Sequence, residues 1–146
     1  MKQRLNPLEV IPDAYRAVFA LERHVQSKID HGLLELVKLR ASMINGCAFC
    51  VDMHSTDALK NGEDARRLFA VSVWRESPFF SPAERAALAL TDAVTRLGEE
   101  GVSDEVWNDA VNAYGEATAA ELVIAIATIN VWNRLSVANH SAPPPL

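Results

Sequence analysis

The sequence predicts an all-α fold, and three observations carry that prediction. Apolar residues recur at three- and four-residue intervals in the long segments, no interval alternates convincingly with a period of two, and Gly, Pro and capping residues divide the chain at helix-length spacing. The 146 residues suit one ordinary domain spanning 1–146, a size that buries roughly 68–70% of the surface an unfolded chain exposes.

Pro12, at a first-turn position, opens a helix to about Ser27, with Tyr15, Val18, Phe19 and Glu22 on one face. Asp30 caps the next helix, which carries Leu33, Leu36, Val37, Leu39 and Arg40 forward to Met43 and Ile44. Asn45-Gly46 then breaks it. A third helix runs from about Cys47 to Lys60 and stops at Asn61-Gly62, and Glu63 to Val73 suggests a shorter one. Ser81, Pro82 and Glu84 combine an N-cap hydroxyl, an N1 proline and a capping-box carboxylate, which starts a helix over Ala83 to Leu97. Thr118 with Glu121 repeats that logic for the last long helix, to about Ala138, and Pro143-Pro144-Pro145 forms a frayed tail.

Composition narrows the function classes. A net charge of −5, with basic residues scattered singly or as Arg66-Arg67 among acids, argues against a nucleic-acid partner, because phosphate neutralisation needs clustered Lys and Arg. The first twenty residues lack a basic region followed by a continuous apolar core, so no secretory signal is visible and a cytoplasmic location is expected. Leu122 to Trp132 is shorter than a bilayer span of about 20 residues and carries Thr128 and Asn130. It reads as a buried helix and not a membrane anchor. Because it is apolar nearly all round, it suggests either a homo-oligomer contact or the central helix of a monomer, and Asn130, Asn133 and Arg134 within it need partners if buried.

The chemistry gathers in Glu35, Cys47, Cys50 and His54. The two cysteines are the only ones in the chain, and two cysteines three apart in a reducing compartment point to redox or metal chemistry. At about 100° per residue, Cys47, Cys50 and His54 fall within roughly a 60° arc of one helix face. Cys47 sits at the cap or first turn, where free amides and the helix dipole favour a thiolate. Cys50 and His54 form an i, i+4 pair in which the imidazole can accept or relay the thiol proton. Glu35 lies on the preceding helix. A hairpin through Asn45-Gly46 would bring it to face the dithiol as a proton acceptor, directly or through His54; otherwise it is a solvated carboxylate paired with Lys38 or Arg40. The same four residues have the donor types of a zinc site, although no second close pair exists elsewhere. His24, His31 and His140 are isolated and read as surface or structurally satisfied residues.

Glu35, then eleven residues, Cys47-Ala48-Phe49-Cys50, three residues and His54 resemble the motif of the AhpD-like alkylhydroperoxidase branch of the carboxymuconolactone decarboxylase family. The stretch Leu33–Gly62 resembles the family core, and Trp74–Pro78, Glu84–Leu88 and Ile129–Arg134 resemble its single-core members. Ala48-Phe49 stands where the doubled members carry a histidine between the cysteines. The resemblance implies an AhpD-like helical bundle whose central hairpin carries the CxxC motif, assembled as trimers or hexamers. It also implies a thiol peroxidase acting on organic hydroperoxides or hydrogen peroxide, with no cofactor and no metal. In that cycle Cys50 attacks the peroxide, Cys47 resolves the sulfenic acid, His54 and Glu35 relay the proton, and an external dithiol or thiol protein is the reductant. The alternatives are a zinc-binding or redox-sensing protein, or a decarboxylase of small lactone acids.

Overall fold

The computed structural model describes residues 2–145, and all its regular structure is helical. The helices are α1 (Pro7–Val10), α2 (Pro12–Lys28), α3 (His31–Asn45), α4 (Ala48–Lys60), α5 (Ala65–Ala70), α6 (Pro82–Thr95), α7 (Asp104–Tyr114) and α8 (Glu116–Asn139), with a single 3-10 turn at Val71–Val73. The expected all-α bundle with a CxxC-bearing hairpin is the observed one.

Local chemistry sets most boundaries. The Asp30 side chain accepts from the Leu33 amide and starts α3, while Gly46, at φ 67°, ends it in the left-handed region that glycine enters without strain. At α6 the expected capping box is present: the Ser81 side chain accepts from the Glu84 amide, and the Glu84 carboxylate accepts from the Ser81 amide. That helix ends at Thr95, two residues before Leu97. The segment expected as one helix over Glu63–Val73 is α5 followed by the 3-10 turn, with Asp64 as its cap.

The expected cap of the last helix needs correction. Thr118 does not cap α8; the helix starts at Glu116 behind Gly115, which has no side chain to accept from the first-turn amides, and Glu121 is drawn instead to His24 at 2.8 Å. Two helices went unpredicted. Short α1 is capped by Asn6, and α7 is capped by Ser103, whose hydroxyl accepts from the Val106 amide. The signal for α7 was legible, since Val106, Ala110, Val111 and Tyr114 lie at helical spacing and pack on the core.

Helix α3 is the hub, packing against α4, α6 and α8. It is buried continuously from Leu34 to Ser42, a run that includes Glu35, Lys38 and Arg40. Charges taken out of water need partners, and a different helix supplies each one. Lys38 pairs with Glu22 of α2, whose other oxygen accepts from Trp132 Nε1 of α8 at 3.2 Å. Arg40 holds Asp92 of α6 through Nε at 2.6 Å and Nη2 at 3.1 Å. Glu35 meets His54 of α4. One apolar core, including Val25, Val37, Leu90, Leu122 and Ile126, lies towards α2, α7 and α8; a second, including Leu36, Leu39, Leu68, Val71 and Leu88, lies towards α4 and α5.

By length and composition alone, the 24-residue α8 meets the requirements of a membrane span, with mean hydropathy 1.2 over 18 residues. In the structure it lies among α2, α3, α6 and α7 and buries Leu122, Ala125, Ile126 and Ile129, while Ile124, Val131 and Val137 are exposed. Its polar residues find partners. Asn133 donates to Ser42 Oγ at 3.0 Å and accepts from Asn45 at 2.9 Å, Asn45 also reaches Asn130, and Arg134 donates to Asn130 Oδ1 at 2.6 Å.

Candidate functional site

The turn through Asn45-Gly46 folds α4 back against α3, and this hairpin builds the site. Cys47 follows the glycine and is the N-cap of α4. Its amide donates to Ser42 O at 3.0 Å, and its sulfur accepts from the Cys50 amide at 3.2 Å. A helix-start amide aimed at sulfur is the arrangement that stabilises a thiolate. Cys50 lies in the first turn of α4, and the two sulfurs are joined in a disulfide. Both cysteines are 1% exposed.

One helical turn beyond Cys50, His54 is 5% exposed and its Nδ1 lies 2.9 Å from Glu35 Oε2. Glu35 is therefore not a solvated carboxylate paired with Lys38 or Arg40, since it is buried and both cations are committed elsewhere. The hairpin brings the carboxylate to the histidine. The other ring nitrogen of His54, Nε2, is the one buried side-chain polar atom among the described residues without a hydrogen-bond partner. Native interiors rarely leave such a group unpaired, because doing so costs about 1–3 kcal/mol. Spacing sets His54 on the helix face that carries Cys50. With the sulfurs in a disulfide, Cys50 has no proton to give it.

The opposite side of the Glu35–His54 pair is open. A recess of about 360 Å³ between the start of α3 and the end of α4 is lined by His31, Glu35, Leu36, Ala58, Asn61 and Glu63, among others. Glu35 lines this recess, and its Oε1 accepts no hydrogen bond from the protein. His31, expected only as an isolated surface histidine, lines that recess; His24 binds Glu121 and His140 ends α8 at φ 56°.

Among the described residues, no three His, Cys, Asp or Glu side chains are grouped as a metal site requires. In the disulfide neither sulfur is a thiolate ligand. Sequence reasoning also missed how the turn is held. Asn45 was legible only as a helix breaker, yet its side-chain amide ties the end of α3 to Asn130 and Asn133 of α8, just ahead of the cysteines.

Comparison with known proteins agrees with this architecture. The model of the carboxymuconolactone decarboxylase family matches residues 12–93. An uncharacterized Bacillus subtilis protein, YdfG, is 40% identical over 139 residues, covering 94% of this chain and 95% of its own. The crystal structure of ATU0492 from Agrobacterium tumefaciens, a protein of unknown function provisionally designated an antioxidant defence protein AhpD, superposes with TM-score 0.96. Its sequence is 41% identical, with 99% of this chain and 100% of that one covered. The debrominase Bmp8 shares the fold at 24% identity and TM-score 0.82, over 94% of this chain and 74% of its own. The chain belongs to the carboxymuconolactone decarboxylase family, in its AhpD-like branch.

Proposed function

We propose that this protein is a thiol-dependent peroxidase that reduces hydroperoxides through a Cys47–Cys50 dithiol/disulfide cycle. The observation that carries the proposal is the buried His54, held by Glu35 through Nδ1 while Nε2 stays unpaired one turn from a cysteine already in a disulfide. A base orients a nucleophile when a third group fixes the base, and Glu35 is that third group. Membership of the carboxymuconolactone decarboxylase family, and likeness to a structure provisionally designated an antioxidant defence protein AhpD, support the same reading.

In the reduced form, Nε2 takes the Cys50 thiol proton. The thiolate attacks the distal peroxide oxygen, the O–O bond breaks, and the leaving alkoxide takes that proton as the alcohol. Cys50 is now a sulfenic acid. Cys47 attacks its sulfur, the S–O bond breaks and water leaves with the Cys47 proton, closing the disulfide. An external dithiol returns two electrons. We extend the proposal to a homo-oligomer acting in the cytoplasm, where such reductants are maintained.

Hydroperoxide consumption with a small dithiol tests the cycle. Cys50→Ser is expected to lose activity, while Cys47→Ser, reduced and then freed of dithiol, consumes one equivalent and retains a sulfenic acid that a dimedone probe traps. A Cys50→Ser protein that turns over peroxide at the parent's rate would end this reading. Stoichiometric zinc that survives purification of the reduced protein and blocks both thiols would replace it with a metal site.

A further inference from the structure

We infer that Arg134 is a carboxylate receptor beside the dithiol, and that the thiol reductant or the hydroperoxide it serves carries a carboxylate several bonds from its reacting atom. The inference rests on the dithiol reading above and adds the chemistry by which a co-substrate is recognised.

Three stretches of chain frame the cysteines: the end of α3 from Leu36 to Asn45, the start of α4 from Cys47 to Val51, and α8 from Leu122 to Asn139, which packs on both. None of them contains an Asp or a Glu, in a chain with 19 acids and a net charge of −5. They hold the cations Lys38, Arg40 and Arg134. Lys38 and Arg40 are buried, and each is answered by a carboxylate from another helix, Glu22 and Asp92. Arg134 is exposed, and among the described residues it pairs with no acid. The dithiol is thus bordered by an uncompensated positive charge.

The guanidinium is held in place without being used up. Nη1 donates to Asn130 O at 3.1 Å and to Asn130 Oδ1 at 2.6 Å. Asn130 Nδ2 donates in turn to Thr95 Oγ1 at 3.1 Å and to Ile126 O at 2.8 Å, so the asparagine is a fixed post. Nε and Nη2 of Arg134 have no partner among the described residues. These two groups form one edge of the guanidinium, the fork that meets both oxygens of a carboxylate. Arg40 uses the same edge to hold Asp92. A cation serving the negative end of α8 would turn to the last carbonyls. Arg134 instead reaches back one turn, and Arg4 Nη1 already meets Ala138 O at 3.0 Å.

Asn130 also links the receptor to the sulfurs. Its Oδ1 accepts from Asn45 Nδ2 at 3.0 Å as well as from Arg134, and Asn45 stands two residues before Cys47. Gly46 and Ala48, which flank the buried Cys47, are exposed and carry at most a methyl group. The charge is set apart from the chemistry, so a ligand held by its carboxylate needs a spacer to bring its own sulfur or peroxide oxygen to the cysteines. A guanidinium already fixed by its post binds such a ligand with little further ordering.

Matched pairs of co-substrates test the receptor. In the thiol arm, ω-mercaptohexanoate and its neutral amide open the disulfide, read by quenching with an alkylating agent and weighing the protein, an assay that needs no peroxide activity. In the peroxide arm, ω-hydroperoxyhexanoate and its methyl ester oxidise the reduced protein, read in the same way. The ratio of charged to neutral rates cancels any loss that a substitution inflicts on both probes. Arg134→Gln should lower that ratio by about 5–10-fold, the scale of an exposed charge-assisted fork, in the arm whose co-substrate the receptor serves. Arg134→Lys should keep part of the ratio, because it retains a point charge and loses the fork. Arg4→Gln should keep all of it. A fall in the thiol arm identifies the reductant as the carboxylate carrier, and a fall in the peroxide arm identifies the hydroperoxide. An unchanged ratio for Arg134→Gln in both arms, or an equal fall in Arg4→Gln as a diffuse field would give, would overturn the receptor. A parent protein that consumes no hydroperoxide removes the peroxidase reading and leaves the thiol arm to decide.

Discussion

Nδ1 of His54 lies 2.9 Å from Oε2 of Glu35, joining the two arms of the α3–α4 hairpin through a contact in which both side chains are buried. The contact fixes the ring and aims the remaining nitrogen, which has no partner while the cysteines are oxidised. That nitrogen makes His54 an energetic difference between the two redox forms.

Reduction gives Nε2 a thiol to bond, so the unpaired state burdens only the disulfide. If relief is worth about 1–3 kcal/mol, His54 raises the reduction potential by about 20–60 mV for a two-electron couple. His54→Leu is therefore expected to lower the potential by that amount in a titration against a dithiol/disulfide buffer. The cost of stranding Glu35 falls on both forms and cancels. An unchanged or higher potential would show that Nε2 has no stake in the sulfur chemistry.

Asp92 carries a different kind of load. Burial pushes its carboxyl upward, but hydrogen bonds and charge from Arg40 and Arg75 outweigh burial and hold it below the ordinary aspartate value. A depressed carboxylate contributes stability that is complete above the unfolded value of about 3.9 and is lost as pH falls through the folded one. Asp92→Asn leaves the buried Arg40 charge unanswered, so urea unfolding at pH 7 should show a loss of about 3–5 kcal/mol. The gap should narrow below about pH 4, as the parent's own carboxyl becomes neutral. A gap that is constant from pH 7 to 3 would mean the Asp92 charge is not what stabilises the parent.

Helix periodicity and caps made most of the fold legible. Asp30, Gly46 and the Ser81 box each declare a boundary within three or four residues, and the structure places them as expected. Thr118 with Glu121 misled for the same reason, because a capping pattern is local while Glu121 is held by His24, 97 residues away. At the site, the spacing of Cys47, Cys50 and His54 was legible because all three share one helix. Glu35 was legible only as one of two options, since its partner depends on which cations α2 and α6 remove from α3: Glu22 takes Lys38 and Asp92 takes Arg40, leaving Glu35 for His54. Such a division of buried charges is a tertiary event with no sequence period.

The turn before the cysteines depends on glycine. Gly46 adopts φ 67°, and a Cβ there would meet no atom within 4 Å, so the cost of a side chain is purely that of the backbone. Gly46→Ala should lower unfolding stability by about 1–2 kcal/mol, the usual penalty for a left-handed L-residue. Gly46→Asn should recover part of it, because asparagine tolerates that region better. Equal stability of the alanine variant and the parent, measured by urea denaturation, would indicate that the hairpin turns by another backbone route.

Asn133 is fully buried on α8 and bonds both Ser42 Oγ and Asn45, the residues that flank the last turn of α3. Asn133→Ala removes both contacts. Asn45 keeps Asn130, at 3.0 Å, and Ser42 keeps its bond to Lys38 O, at 2.7 Å, so neither is wholly stranded. The loss should therefore be about 1–3 kcal/mol, from two buried hydrogen bonds and the small void left behind. Ser42 O also receives the Cys47 amide, so loosening this end of α3 should speed alkylation of the reduced cysteines at pH 7 by more than global unfolding allows. Alkylation that tracks global stability alone, across a urea series, would restrict Asn133 to packing and deny it a part in holding the dithiol.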